Sequence, residues 1–204
     1  MVNYLIVLFA VTLVYLSITE RFRIYAGLIA LQGLLLFGIT FLELNEVTTA
    51  NLIFIAAETL IFKTIVVPYL IFRIIRQTGV YKVHELAMPG FYILIFTIIS
   101  LLISILLANQ LINPYINTVY MTIALFTMFT GLLIVVTHKL ILSHLIGFLI
   151  LENAVFMFSL AVGNEMPMLI NIGILLDIFV GVLILSFFGS KLKPHIGELT
   201  KLKD

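Results

Sequence analysis

Four ionisable side chains, Glu58, Lys63, Glu152 and Asp177, lie inside otherwise apolar stretches, each five or more residues from the nearest polar connection. A charged group near the bilayer midplane costs at least ~2.5–3.5 kcal/mol on insertion scales, so each marks a functional site unless it is a packing device. Glu152 stands beside Asn153 at the centre of an apolar run over 145–158. The chemistry these residue types offer is reversible proton binding, because burial raises a carboxyl pKa toward neutrality. Other chemistries find no residues. There is no nucleophile–base set, phosphate-cradling glycine loop or metal-ligand spacing. The chain has no cysteine, and so no thiolate, disulfide, iron–sulfur ligand or Cys-type zinc site. The histidines, His84, His138, His144 and His195, sit in or beside polar connections without clustering. No cofactor, metal or nucleic-acid partner is expected of this chain, and it holds no catalytic centre of its own.

The elements that must position these groups follow from composition. Of 204 residues, 63% are hydrophobic and 10% charged, with a mean hydropathy of +1.26. That is the balance of an all-α integral membrane protein, whose solvent is lipid. Seven runs are long enough to cross the hydrocarbon layer as helices: 2–19, 24–42, 51–72, 89–107, 115–136, 143–162 and 168–188. Barrel strands would be about half that length and would alternate polar with apolar residues. The N-terminus lacks the basic n-region and small-residue cleavage site of a signal peptide, and reads as a retained first span.

Charge in the connections sets orientation. Alternate connections carry Arg21 and Arg23; Arg73, Arg76 and Lys82; Lys139; and Lys191, Lys193, Lys201 and Lys203 in the tail. The others carry Glu43 and Glu46, then no charge around 109–113, then Glu165. Ten of the eleven basic residues therefore fall on one side, and the eleventh is Lys63. The positive-inside rule places that side in the cytoplasm, with the N-terminus out and the C-terminus in.

An internal repeat is visible. Aligning 26–37 with 146–157 pairs Gly27 with Gly147, Leu31 with Leu151 and Gln32 with Glu152, at an offset of 120. Glu58 meets Asp177 at an offset of 119. Spans one to three thus resemble spans five to seven, with span four as connector, and the two units run parallel. The competing account is coincidence between leucine-rich helices, against which stands the matching of polar positions. The chain divides into a three-helix unit (1–76), a connector helix with its loops (77–113), a second three-helix unit (114–190) and a tail (191–204).

Within the spans, Glu58 and Lys63 are five residues apart and do not stack on one face of an α-helix. Pro68 removes the bond its N–H would make to the Thr64 carbonyl, so a kink is expected, with a freed carbonyl near the Lys63 ammonium. Gly147 and Ala154 offer close helix approach around Glu152 and Asn153. Gly173, Asp177 and Gly181 recur every four residues, which puts Asp177 on a smooth stripe. The bland alternative for Glu58, Lys63 and Asp177 is that they are inter-helix staples. The hydroxyls of Thr59, Thr64, Thr97, Ser100, Thr127 and Ser159 are assigned no role beyond packing.

The segments SHLIGFLILENAVF (143–156), MPML (166–169) and ILLDIFVGVLI (174–184) resemble component E of hydrogenase-4, as does ETLIFK (58–63) with Pro68. That family comprises a membrane subunit of formate-hydrogenlyase-type nickel–iron hydrogenase complexes. The C-terminal half is in turn similar to the three-span K-type subunit of respiratory complex I and to the C-type subunit of multi-subunit sodium/proton antiporters. In the K-type subunit two membrane glutamates on successive helices are implicated in the proton path. The resemblance carries the second onto Asp177, through the glycine four residues on, Gly181. It carries the first onto Leu149 when Asn153 and Ala154 are matched, so Glu152 departs from the pattern by one helical turn. In the N-terminal unit the corresponding position is Gln32, which holds no charge, leaving Glu58.

The resemblance implies a non-redox membrane subunit of a complex-I-like energy-converting hydrogenase in the cell (inner) membrane. Asp177, Glu152, Glu58 and Lys63 would then supply a proton or sodium path. Its implied partners are antiporter-like membrane subunits, a membrane anchor subunit, hydrophilic nickel–iron and iron–sulfur subunits, and lipid. Rival classes are a C-type-like antiporter subunit, an autonomous secondary transporter and a purely structural scaffold.

Overall fold

The computed structural model describes residues 1–43, 56–79, 81–82, 88–110 and 116–162. The expected seventh span with Asp177, and the basic tail, lie outside the described residues. Within them the chain is helical: α1 (Val2–Ile18), α2 (Phe22–Glu43), a π-helix (Ala57–Val66) running directly into α3 (Val67–Thr78), α4 (Gly90–Gln110), α5 (Thr118–Thr137) and α6 (Ile141–Val162). Four of these, α2, α4, α5 and α6, are long and apolar enough to cross a membrane, and α1 is an apolar helix of 17 residues. Helices satisfy their own backbone groups, which is what makes such apolar sequence compatible with lipid.

Ends are closed locally. Asn117 caps α5 by accepting from the N–H groups of Val119 and Tyr120 at 3.0 and 3.4 Å. Its own N–H donates to the Ala161 carbonyl at 2.8 Å, tying the start of α5 to the end of α6. Gly79, at φ 72°, ends α3 in the left-handed conformation, its N–H on the Ile75 carbonyl. At the opposite end from Asn117, the backbones of Arg21 and Lys82 pair in an isolated antiparallel β-bridge and Arg23 lies over the Tyr81 ring at 5.4 Å.

α2 is the hub, packing against α1, the π-helix, α3 and α6, while α5 and α6 form the most extensive pair and α4 packs on α5 and α1. The α5–α6 backbones pass closely because two glycines face each other. A Cβ on Gly147 would sit 2.5 Å from Val135 Cγ2 and 3.1 Å from the Gly131 carbonyl oxygen. Gly33 does the same for α2 against the π-helix, where a Cβ would lie 2.7 Å from Thr64 Oγ1 and 3.1 Å from Lys63 Cβ.

The polarity is arranged for lipid. Large apolar side chains such as Val7, Val11, Phe91, Leu106, Val136 and Phe148 face outward, while Thr12, Gln32, Lys63, Thr97, Glu152 and Asn153 are buried alongside Phe9, Leu13, Leu36, Phe126 and Ile150. Thr97 and Thr127 each donate to the carbonyl four residues back, so their hydroxyls are satisfied within their own helices.

Candidate functional site

The site begins with a register change. A π-helix closes N–H bonds five residues back rather than four, and such segments recur at functional sites. Here the Val67 N–H reaches the Phe62 carbonyl, and the Thr64 hydroxyl donates to the Thr59 carbonyl, also five residues back, at 2.9 Å. Pro68 follows immediately and has no N–H with which to restore α-register bonding to Thr64. The expected disturbance at Pro68 is therefore an extended π-helix on its N-terminal side, and Lys63 sits within it.

Among the described residues, Lys63 faces a carboxylate on another helix. Lys63 Nζ lies 3.3 Å from Glu152 Oε1 of α6, both side chains being buried. The ammonium is also 5.1 Å from the centre of the Phe156 ring, one turn beyond Glu152 on the same helix. An opposite charge and an aromatic face are what a buried cation requires, since an uncompensated ion in this environment costs several kcal/mol.

Consecutive residues on an α-helix diverge by about 100°, so α6 turns Glu152 toward the π-helix and Asn153 toward α2. Asn153 Nδ2 donates to Gln32 Oε1 at 3.1 Å, Gln32 Nε2 donates to Thr12 Oγ1 at 3.1 Å, and the Thr12 hydroxyl donates to the Phe9 carbonyl at 2.6 Å. All three side chains are buried. The network crosses α6, α2 and α1, and it joins Gln32 to the residue next to its repeat counterpart, Glu152.

Of the four residues singled out in the sequence, the structure brings together Lys63 and Glu152. Glu58 lies in the π-helix, its side chain outside the described set, and Asp177 lies outside the described residues. Gln32 and Asn153 join the site through the amide network.

A second buried polar group is built on His138, which the sequence places in a connection. His138 caps the C-terminus of α5, is 3% exposed, and shares a hydrogen bond between its Nε2 and the Tyr25 hydroxyl of α2 at 3.1 Å. Its Nδ1 is 2.9 Å from Thr137 Oγ1. Burial lowers its pKa below the ordinary 6.5; a backbone hydrogen bond at Ile134 opposes this and the neighbouring His144 adds to it. A legible signal existed: Thr127, Thr130, Ile134, Thr137 and His138 continue one buried stripe at helical spacing.

The chain matches no family model, no curated protein and no solved structure.

Proposed function

We propose that the chain is a non-redox membrane subunit that passes protons through the buried Lys63–Glu152 pair. The assembly we assign it to is a complex-I-like energy-converting hydrogenase in the cell membrane, with the basic connections cytoplasmic. Electrons move in the hydrophilic partner subunits; this chain carries charge only as protons. The observation that carries the proposal is an opposite-charge pair, buried between the π-helix of one repeat unit and α6 of the other. Support for the class of assembly comes from the residues of 58–63 and 143–184 described above.

In the resting pair the two charges cancel. A proton arriving at Glu152 neutralises the carboxylate and removes its charge from beside the Lys63 ammonium, an imbalance relieved by moving Lys63 or by passing a proton on. Protonation of Glu152 is thereby coupled to displacement of the π-helix, whose bonding register can change by one residue at small cost because Pro68 has already removed one α-type bond. Glu58 and Asp177 extend the path in this proposal on the strength of their sequence positions.

The test uses the assembled complex in inside-out vesicles, with a pH-sensitive dye for proton movement and hydrogen evolution measured in parallel. Glu152→Gln and Lys63→Met should each slow proton movement by about a hundredfold or more, the scale of a positioned proton-transfer group, with the complex still assembled. Proton movement at the parent rate in both variants excludes the role. Co-purification separates the rival classes: nickel–iron and iron–sulfur subunits accompany a hydrogenase component, and antiporter subunits alone accompany a C-type-like one.

A further inference from the structure

A carrier buried at the Lys63–Glu152 level needs a group that exchanges protons with water at an end of the bundle. Tyr25 and Gln32 are seven residues apart on α2, which puts them within about 20° of one face and roughly 10 Å apart along it. Tyr25 is fully buried and hydrogen-bonded to His138, and both stand at the end that carries Arg21, Arg23, Lys82 and Lys139. The hydrogen bonds fix the imidazole tautomer. Thr137 donates its hydroxyl to the Leu133 carbonyl at 2.7 Å, so its oxygen accepts from Nδ1–H, and Nε2 is left to accept from the Tyr25 hydroxyl.

Two further observations point the same way. Ser143, in the first turn of α6, has a buried hydroxyl that makes no hydrogen bond among the described residues. The antiparallel pairing that sets Gly147 against Gly131 and Val135 places it beside the last turn of α5, at the level of His138. A buried polar atom in that position calls for water. The same end also opens in a cleft lined by Thr19, Glu20, Arg21, Ile24 and Lys82.

We infer that His138 and Tyr25 form the port through which protons pass between water at the basic end and the buried pair, a role that rests on Lys63–Glu152 being the carrier. A proton reaching Tyr25 Oη displaces the phenol's own proton onto Nε2. The imidazolium then donates from both nitrogens, to Tyr25 Oη and Thr137 Oγ1. Discharge returns the Nε2 proton to Tyr25 Oη, and the phenolic proton passes to water on the Gln32 side of Tyr25, which carries it to the Glu152 carboxylate. Each N–H formed matches one O–H broken, and Tyr25 remains a neutral phenol. Among the described residues, the ionisable groups around the port are His144 on α6, Glu20 acting on Tyr25 from the α1–α2 connection, the exposed Lys139, and Arg21, Arg23 and Lys82 at the same end. Burial disfavours the imidazolium, so a proton loaded there is readily given up.

Nitrogen NMR of the histidines in the full chain, held in lipid nanodiscs, tests the port without transport. The expected result is the Nδ1–H tautomer at neutral pH and a His138 midpoint below 6.5 that Tyr25→Phe displaces. An imidazole that stays neutral down to about pH 4, the carboxylate range, overturns the port. In vesicles of the complex, His138→Ala should slow proton movement by about a hundredfold, and added imidazole should restore it, while Glu152→Gln is not restored. Parent rates in His138→Ala with Glu152→Gln inactive overturn the port alone; parent rates in both overturn the carrier and the port together. A His138→Ala loss that imidazole does not repair also overturns the port, leaving His138 a packing residue.

Discussion

Gln32 on α2 and Glu152 on α6 occupy matching positions of the repeat, and both are buried, yet they are satisfied in different ways. The amide needs only hydrogen bonds, which Thr12 and Asn153 supply. The carboxylate needs a counter-charge, and the cation comes from another helix: Lys63 of the π-helix. The supporting glycines differ too. Gly147 lies in close backbone contact with α5, whereas Gly27, its repeat counterpart, has open space around its Cβ position. Two buried polar positions aligned in the sequence are thus satisfied by different chemistry. The charged position is tolerated where a cation reaches it, because an isolated buried ion costs far more than a missing hydrogen bond.

That contrast gives an order of expected effects. Lys63→Met alone leaves Glu152 as an uncompensated charge and should destabilise by about 3–5 kcal/mol, whereas Lys63→Met combined with Glu152→Leu should recover most of the loss. Denaturant titration of the chain in mild detergent measures both, and equal losses in the single and double variants would remove the pair from the account. Gly33→Ala comes next: its Cβ would lie 2.7 Å from Thr64 Oγ1 and press on the π-helix, costing about 1–3 kcal/mol as overpacking does. Gln32→Leu removes two side-chain hydrogen bonds but strands no charge, for about 0.6–2 kcal/mol in the same titration. A Gln32→Leu loss as large as that of Lys63→Met would erase the distinction between the two positions.

The smallest effect expected is at His138. Its folded pKa is lowered from 6.5, so the unfolded chain binds the proton more readily. The stability that neutral His138 contributes is present above 6.5 and is lost as pH falls through the folded value. Thermal unfolding of the parent should weaken on acidification from neutral pH more steeply than that of His138→Gln, and parallel curves would show no such linkage.

Much of the frame was legible in the sequence. Apolar run length located α1, α2, α4, α5 and α6 to within a few residues, and the cost of charge in lipid picked out Lys63 and Glu152 without any structure. Their pairing was not legible, because hydropathy fixes where helices lie in the chain but not which faces meet. That choice is made by close approaches such as Gly33 on the π-helix. The π-helix itself left one mark, Pro68, and a missing N–H is equally consistent with a kink. His138 is not legible as a buried group because it stands one residue beyond α5, where a histidine ordinarily faces water; here Tyr25 of α2 covers it.

The most direct test of the central claim is proton movement in sealed vesicles of the proposed hydrogenase complex carrying the double variant Lys63→Met with Glu152→Gln. Both charges are then gone together, so packing is largely spared and any loss reports on proton chemistry. We expect an assembled complex that evolves hydrogen with proton movement reduced by about a hundredfold or more. Proton movement at the parent rate in that variant would mean that the buried pair is a staple between helices and not a carrier.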